Sequence, residues 1–401
     1  MTDKAAISDS GALMDSIVTE DARILIVDDL HSSRMLIGSV LSAAGYNDLH
    51  YAADGIEAMA AIGELSPDLV VLDLIMPNKD GYAVCREVRE DHRLNVPIIV
   101  QSGLQEADQR LRVFDDGATD IITKPINAKE LLSRVKLHLE RRRLIDSLET
   151  YHRRMQDELG MAESMQLELL PTSESVDRIV RERACRLQSY YKASNSLGGD
   201  LWQIFPVDEG RFSLFMLDLS GHGVSAAINA FRVHMIASEQ VECRDDPSAW
   251  LEALNRRLCD ILHVGHFATA FYGVFDRTAS RMDYAASAAP QPVLVRGDGQ
   301  VDVLESAGLL LGCSSVATYE RRSVTLDPGD SLFLYSDALV EDFNDPLACL
   351  EPGDVADLVR ELLEKGGSEH FMDRILSTRF GARTDDLSDD LTLLLLQRES
   401  S

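Results

Sequence analysis

Residues 24–74 read ILIVDDLHSSRMLIGSVLSAAGYNDLHYAADGIEAMAAIGELSPDLVVLDL, and this stretch decides the first fold. Short β-branched runs at 24–29, 49–53 and 69–74 alternate with helical patterns at 32–44 and 55–65, which predicts strand, helix, strand, helix, strand. The alternation continues with a helix over 82–90, a strand over 97–102, a helix over 107–116 and a strand over 120–123. Five strands alternating with helices specify an α/β domain with a doubly wound, five-stranded parallel sheet covered on both faces. Functional groups of such sheets gather outside the carboxyl ends of the strands.

Outward from that stretch, charge divides the chain into three parts. Counting Lys, Arg, Asp and Glu, residues 1–126 carry a net charge of −12, residues 127–170 carry none, and residues 171–401 carry −16. A chain of 401 residues exceeds what one hydrophobic core usually serves. The expected organisation is a tail (1–22), a first domain (23–126), a helical connector (127–170) and a second domain (171–401). The connector has no proline between Pro125 and Pro171, and about 44 helical residues would make a rod of roughly 65 Å. Leu137, Leu144, Leu148, Tyr151, Met155, Ala162, Met165 and Leu169 fit one heptad seam, so a parallel coiled coil joining two chains into a homodimer is expected. The run Arg141–Arg143 reads as a solvated flank of that rod. The last part mixes strands at 212–217, 267–275, 281–286, 292–296, 323–326, 331–335 and 391–396 with helices at 224–239, 248–262, 355–364 and 369–376, an α/β sandwich of antiparallel sheets flanked by helices.

The net charge of −28 repels phosphate backbones and anionic lipid, which argues against nucleic acid and membrane surfaces as partners. No apolar run approaches membrane-spanning length, and Asp3, Asp9, Asp15, Glu20 and Asp21 stand where a signal peptide needs a basic start and an apolar core, so a cytoplasmic address is expected. Cys85, Cys185, Cys243, Cys259, Cys313 and Cys349 have no paired short spacing and read as buried small hydrophobes rather than a disulfide framework or zinc site.

Two constellations carry chemistry. In the first, Asp28 and Asp29 end the first strand, Asp73 the third and Ser102 the fourth, and Lys124 follows the fifth, so all five converge at one sheet edge. Three carboxylates placed together repel unless a cation sits among them, and a hard divalent ion such as Mg²⁺ is the natural occupant. An Asp beside Mg²⁺, with a hydroxyl and an ammonium in reach, is equipped to accept a phosphoryl group. A single strand-end Asp often does no more than cap the next helix; five matched polar residues make that plainer reading weak.

In the second, Gly198-Gly199-Asp200, the DLSGHG run at 218–223, Ser336-Asp337-Ala338 and Asp389-Asp390 each set an acid beside small residues at a strand end or turn. Aspartates from several separated strands suit a dinuclear site, because two ions need many oxygen ligands and an open face for water. Taken singly each motif is more often only a turn. His222 is expected to shape its loop rather than act as a general acid, and His263 and His266 to have surface or helix-end roles.

The first part resembles the receiver domain of two-component response regulators through IVDD at 26–29, DLIMPNKDG at 73–81, Ser102 and the KP pair at 124–125. The resemblance implies that Asp73 accepts the phosphoryl group from a sensor histidine kinase. It implies that Asp28, Asp29 and the Ile75 carbonyl hold Mg²⁺, and that Ser102 and Lys124 bind the phosphoryl oxygens. Ile121 stands where receivers usually carry a switching Tyr or Phe. The third part resembles the PPM-type metal-dependent serine/threonine phosphatases of the SpoIIE/RsbU-like branch. The matching stretches are YKASNSLGGDLW (191–202), LDLSGHGVSAAI (217–228), ATAFYGVFD (268–276), LDPGDSLFLYSDALVE (326–341) and SDDLTLLLL (388–396). That resemblance implies two Mn²⁺ or Mg²⁺ ions held by Asp200, Asp218, the Leu219 carbonyl, Asp337 and Asp390, with Asp389 as a neighbour of that set. It also implies a substrate, a phosphorylated STAS-type anti-sigma-factor antagonist. Gln203, Ala288-Ala289 and Ala338 depart from the family pattern, at positions where a second acid, a Gly-His pair and a Gly are usual. The expected function is therefore a phosphorylation-controlled protein phosphatase, and its rival is a non-catalytic adaptor that binds a partner through a phosphatase-like domain. A transcription factor is disfavoured by the acidic effector part.

Overall fold

The computed structural model describes residues 21–90, 95–103, 107–221, 223–263, 265–341, 349–381 and 387–399, the side chains of 107–110 excepted. The tail expected over 1–22 falls outside the described residues as far as residue 20, as does His222. By its contacts the chain divides into two compact units, Met1–Arg154 and Met155–Ser401.

In the first unit the order is β1 (Ile24–Val27), α1 (His31–Ala43), β2 (Leu49–Ala52), α2 (Gly55–Leu65), β3 (Leu69–Asp73), α3 (Gly81–Glu90), β4 (Ile98–Ser102), α4 (Ala107–Asp115) and β5 (Asp120–Thr123). The strands form one sheet in the order β2-β1-β3-β4-β5, and every pairing is parallel. Strands β1, β3 and β4 are buried along their whole length because helices cover both faces, which is why they read as unbroken apolar runs. Alternate residues feed two cores: Leu25, Val70 and Val100 on one face, Ile24, Val71 and Ile99 on the other. Asp54 starts α2 by accepting the Ile56 and Glu57 amides, each at 2.9 Å.

A single helix, α5 (Ala128–Leu167), follows. Leu131, Val135 and Leu139 pack into the core of the first unit with Ile26 and Ile122. The expected seam lies open: Leu144 and Leu148 are each 66% exposed, and Leu137, Tyr151 and Met165 are exposed too. Two expectations change here. The helix stops at Leu167, and Leu169, assigned to the seam, instead packs on the core of the second unit. Arg142 is not simply solvated, since it donates to the Asn95 carbonyl and pairs with Asp146 at 3.3 Å.

The second unit begins with α6 (Ser173–Arg181), β6 (Cys185–Lys192), β7 (Leu201–Pro206) and β8 (Arg211–Leu219). Two helices, α7 (Val224–Glu239) and α8 (Pro247–Ile261), precede β9 (Ala268–Asp276), β10 (Arg281–Ser287), β11 (Val293–Val295), β12 (Val301–Val303), β13 (Arg322–Thr325) and β14 (Ser331–Tyr335). The order closes with α9 (Pro352–Gly366), α10 (Phe371–Arg379) and β15 (Leu391–Arg398). The strands make two five-stranded antiparallel sheets, β13-β10-β9-β8-β7 and β12-β11-β14-β15-β6. Their inner faces share a core that includes Trp202, Phe212, Phe271, Leu334 and Leu394. One outer face packs on Trp250 and Leu254 of α8, the other on Val355 and Phe371 of α9 and α10, giving helix, sheet, sheet and helix layers.

The six cysteines are unpaired. Cys85 and Cys185 are buried as expected, whereas Cys243, Cys313 and Cys349 are exposed and Cys259 is half-buried, because they fall in turns or on the outward side of α8. Among the described residues no helix is long and apolar enough to cross a membrane.

Candidate functional site

Parallel register builds the first site. Val27 pairs with Leu72, and Asp73 pairs with Gln101, so Asp28, Asp73 and Ser102 leave their strands at one edge. Asp28 is fully buried and Asp73 and Ser102 nearly so, while Asp29 is exposed. The Lys124 ammonium lies 2.6 Å from Asp73 Oδ2 and 3.4 Å from Asp28 Oδ2. The Leu30 amide donates to Asp28 Oδ1 at 2.9 Å, and the Ile75 amide to Asp73 Oδ1 at 3.4 Å. Gly81 permits this crowding, because a Cβ there would stand 2.3 Å from the Asp73 carbonyl oxygen. Burial raises the Asp28 carboxyl above its ordinary pKa even though the Leu30 amide and Lys124 oppose it. Burial would lower Lys124, but Asp73 and Asp28 outweigh it and hold the ammonium charged. Asp28, Asp29 and Asp73 each offer an oxygen within 4.8 Å of the others, a donor set that fits a hard divalent cation.

The second site lies where the two sheets of the sandwich meet. Asp218 stands near the end of β8, which runs two residues further than expected, and Asp200 immediately precedes β7 on the neighbouring strand. From the other sheet, Asp337 follows β14 by two residues and Asp390 immediately precedes β15. Ser336 ties those two strands by donating to the Asp390 carbonyl at 3.0 Å and accepting the Thr392 amide at 2.8 Å. Asp390 is held by the Ser194 amide at 2.8 Å, the Ser194 hydroxyl at 3.0 Å and the Gly199 amide at 2.5 Å. Gly198 must lack a side chain here, since a Cβ would fall 2.5 Å from Asp390 Oδ2.

Asp200 and Asp390 are almost fully buried. Asp200 Oδ2 accepts the Thr392 hydroxyl at 2.5 Å, whereas Asp200 Oδ1 is buried with no hydrogen-bond donor among the described residues. Burial, then the neighbouring Asp218 and Asp390 charges, push Asp200 well above the usual carboxylate range. Asp218 is pushed up to about 8 by burial and by Asp337, Asp389 and Asp390, and Asp337 to about 6 by burial and by Asp389 and Glu341. Buried carboxylates that repel one another, one with an orphaned oxygen, would be relieved by a divalent cation, although among the described residues only Asp28, Asp29 and Asp73 bring three carboxylate oxygens within 4.8 Å of one another.

Asp389 stands nearer the centre than expected, acting on both Asp218 and Asp337 and accepting the Asp390 amide at 2.8 Å. Gln203, at the position of a missing acid, does not leave a gap. Its amide nitrogen reaches the Leu169 carbonyl at 2.5 Å and His234 Nδ1 on α7 at 3.1 Å. Ala338 sits buried in the short turn Asp337–Leu339, and Ala289 lines a water-sized cavity beside Asp218, Met216, Phe271 and Ser336. His263 and His266 lie in the turn after α8, with the His266 amide donating to the His263 carbonyl at 3.0 Å. Sequence reasoning passed over Ser194, Thr392, Gln166 and Tyr191. Ser194 lies within the stretch 191–202 and Thr392 two residues after Asp390, but only the fold shows that both hydroxyls face carboxylates.

Residues 24–136 match the family described as response regulator receiver domain, and residues 208–399 the family described as stage II sporulation protein E (SpoIIE). Asp200 lies just upstream of the second match. The DNA-binding dual master transcriptional regulator RpaA of Synechocystis is 40% identical over 120 residues, 30% of this chain and 49% of RpaA. The response regulator PleD of Caulobacter vibrioides is 35% identical over 128 residues, 32% of this chain and 28% of PleD. The chain thus spans about half the length of such curated relatives, or less. The SiaA-PP2C domain of Pseudomonas aeruginosa is similar in fold, with a TM-score of 0.53 at 20% identity over 62% of this chain and 98% of that one. Segment by segment, the chain matches two families in series, the response regulator receiver domain at 24–136 and SpoIIE at 208–399.

Proposed function

We propose that this protein is a response regulator whose output is metal-dependent hydrolysis of phosphoserine or phosphothreonine on a protein, under the control of phosphorylation at Asp73. The observation that carries the reading is the meeting of Asp200 and Asp218 from one sheet with Asp337 and Asp390 from the other, three of them with raised pKa values. Asp200, Asp218, Asp337, Asp390 and the Leu219 carbonyl would hold two Mn²⁺ or Mg²⁺ ions. Two such ions, when bound, lower the pKa of a water and clamp a phosphate for in-line attack. The chain's own part is to orient those ligands: Ser194 and Gly199 fix Asp390, Thr392 fixes Asp200, and Ser336 ties the two strands of the second sheet.

At the receiver, Asp73 would be the nucleophile towards a phosphohistidine of a sensor kinase, with Mg²⁺ at Asp28, Asp29 and the Ile75 carbonyl. Lys124, already 2.6 Å from Asp73, and Ser102 would take the phosphoryl oxygens. The substrate class suggested by the resemblance is a phosphorylated STAS-domain anti-sigma-factor antagonist in a partner-switching pathway, and the seam on α5 supports a homodimer. The second reading, an adaptor, draws on Gln203, which faces Leu169 and His234 instead of adding a carboxylate.

The two readings part on one experiment. Asp218→Asn and Asp337→Asn should each lower Mn²⁺-dependent phosphate release from a phosphorylated STAS protein by at least about 100-fold, since each removes a charge the ions depend on. Near-normal turnover in both variants would contradict the enzyme reading's metal site, and an inactive parent would favour the adaptor.

A further inference from the structure

The pairing of β6 with β15 sets Leu187 opposite Leu396, Ser189 opposite Leu394 and Tyr191 opposite Thr392. Leu187, Leu394 and Leu396 belong to the core between the two sheets, so the period of two places Ser189, Tyr191 and Thr392 on that same inner face. Thr392 spends its hydroxyl on Asp200 Oδ2 at 2.5 Å. Tyr191, its cross-strand neighbour, has a buried phenol oxygen with no hydrogen-bond partner among the described residues. Beyond burial itself, the charges acting on that phenol are Asp390, Asp200 and Glu163 near the end of α5, and together they raise its pKa.

The acceptors around it are nearly used up. Asp390 already accepts three donors, from Ser194 and Gly199, and Asp200 Oδ2 accepts Thr392. What remains is Asp200 Oδ1, buried and without a hydrogen-bond donor among the described residues, and it does not bond the phenol directly. A donor and an acceptor left open at one end of one interior face call for something between them that accepts from the phenol. Water that hydrates a cation on the aspartates does so, because the lone pair that does not face the ion accepts from the donor while the ion satisfies the carboxylate.

We propose that Tyr191 is a positioning residue of the phosphatase site, whose phenol O–H donates to the water hydrating a divalent ion held at Asp200. The inference rests on the metal site of the preceding section and adds to it a residue outside the aspartate set. A phenol in that role orients the hydration water and disfavours an ion of the wrong geometry, without being a ligand itself.

Calorimetric Mn²⁺ titration of the full chain tests it, with parent and Tyr191→Phe, which keeps the ring and removes only the hydroxyl, both carrying Asp29→Ala and Asp73→Ala so that the first unit's carboxylate set does not contribute. The expected result is about a tenfold weaker Mn²⁺ affinity in the variant, with an unchanged or higher metal-free melting temperature, since a buried unpaired hydroxyl is lost. A parent that binds Mn²⁺ and a variant that binds it within twofold as tightly would overturn the role of Tyr191 alone. Weaker binding accompanied by a lowered metal-free melting temperature would also overturn it, as that pattern reports packing. A parent that binds no Mn²⁺ would overturn the metal site and this inference with it.

Discussion

Gln166 grips Gly198 by both ends of its carboxamide: its nitrogen donates to the Gly198 carbonyl at 2.6 Å and its oxygen accepts the Gly198 amide at 3.1 Å. Gln166 is in the last turn of α5, and Gly198 lies two residues before Asp200 and against Asp390. The end of the long helix is therefore bonded to the loop that carries one carboxylate and seats another. Leu169, just past the helix, is held in turn by Gln203.

Removing that grip leaves a buried carbonyl and a buried amide without partners, at about 1–3 kcal/mol for each. Gln166→Ala should lower Mn²⁺-dependent phosphate release about tenfold while phosphorylation at Asp73 proceeds as in the parent. Phosphate-release and phosphodonor-labelling assays run side by side check it; a variant as active as the parent would show that the grip is only structural.

The raised carboxylates predict a pH signature. A folded-state pKa above the unfolded value means that the native, metal-free domain holds protons the unfolded chain has lost, so its stability falls as pH rises between about 4 and 8. Bound Mn²⁺ requires the carboxylates ionised, so adding it at pH 7 should release on the order of one proton per chain. An indicator dye in weak buffer measures this, and Mn²⁺ binding without proton release would contradict the raised Asp218.

A third expectation concerns the open seam. Replacing Leu144, Leu148 and Met155 by polar residues removes exposed apolar surface, so a monomeric chain would lose nothing, whereas a coiled-coil dimer would separate. Light scattering should give the mass of one chain for the variant and of two for the parent. A parent of single-chain mass would refute the dimer.

How much of this was legible depended on what each residue had to touch. The runs at β1, β3 and β4 are buried on both faces and so announce themselves, and α2 and α7 were placed to the residue because their periodicity is clean and Gly55 and Val224 follow clear punctuation. Strand β6 escaped notice: Ser189 interrupts its inner side after Cys185 and Leu187, and Arg186 and Gln188 fall on the other side. Strand β7 was hidden by Gln203 in its middle and Pro206 at its end. Of the sites, the aspartates were legible as types at strand ends. The neighbours that orient them were not, because Gln166 and Gly198, or Asp200 and Thr392, meet only through the tertiary fold.

The central claim is that the state of Asp73 governs the phosphatase. Its most direct measurement is Mn²⁺-dependent phosphate release from a phosphorylated STAS protein by the parent and by Asp73→Ala, each with and without an acyl-phosphate donor. The account predicts that the donor labels the parent and changes its rate by about 5-fold to 150-fold, the usual span of coupling between sites, and that Asp73→Ala is neither labelled nor altered in rate. Equal rates with and without donor in a labelled parent, or a response that survives in Asp73→Ala, would contradict it.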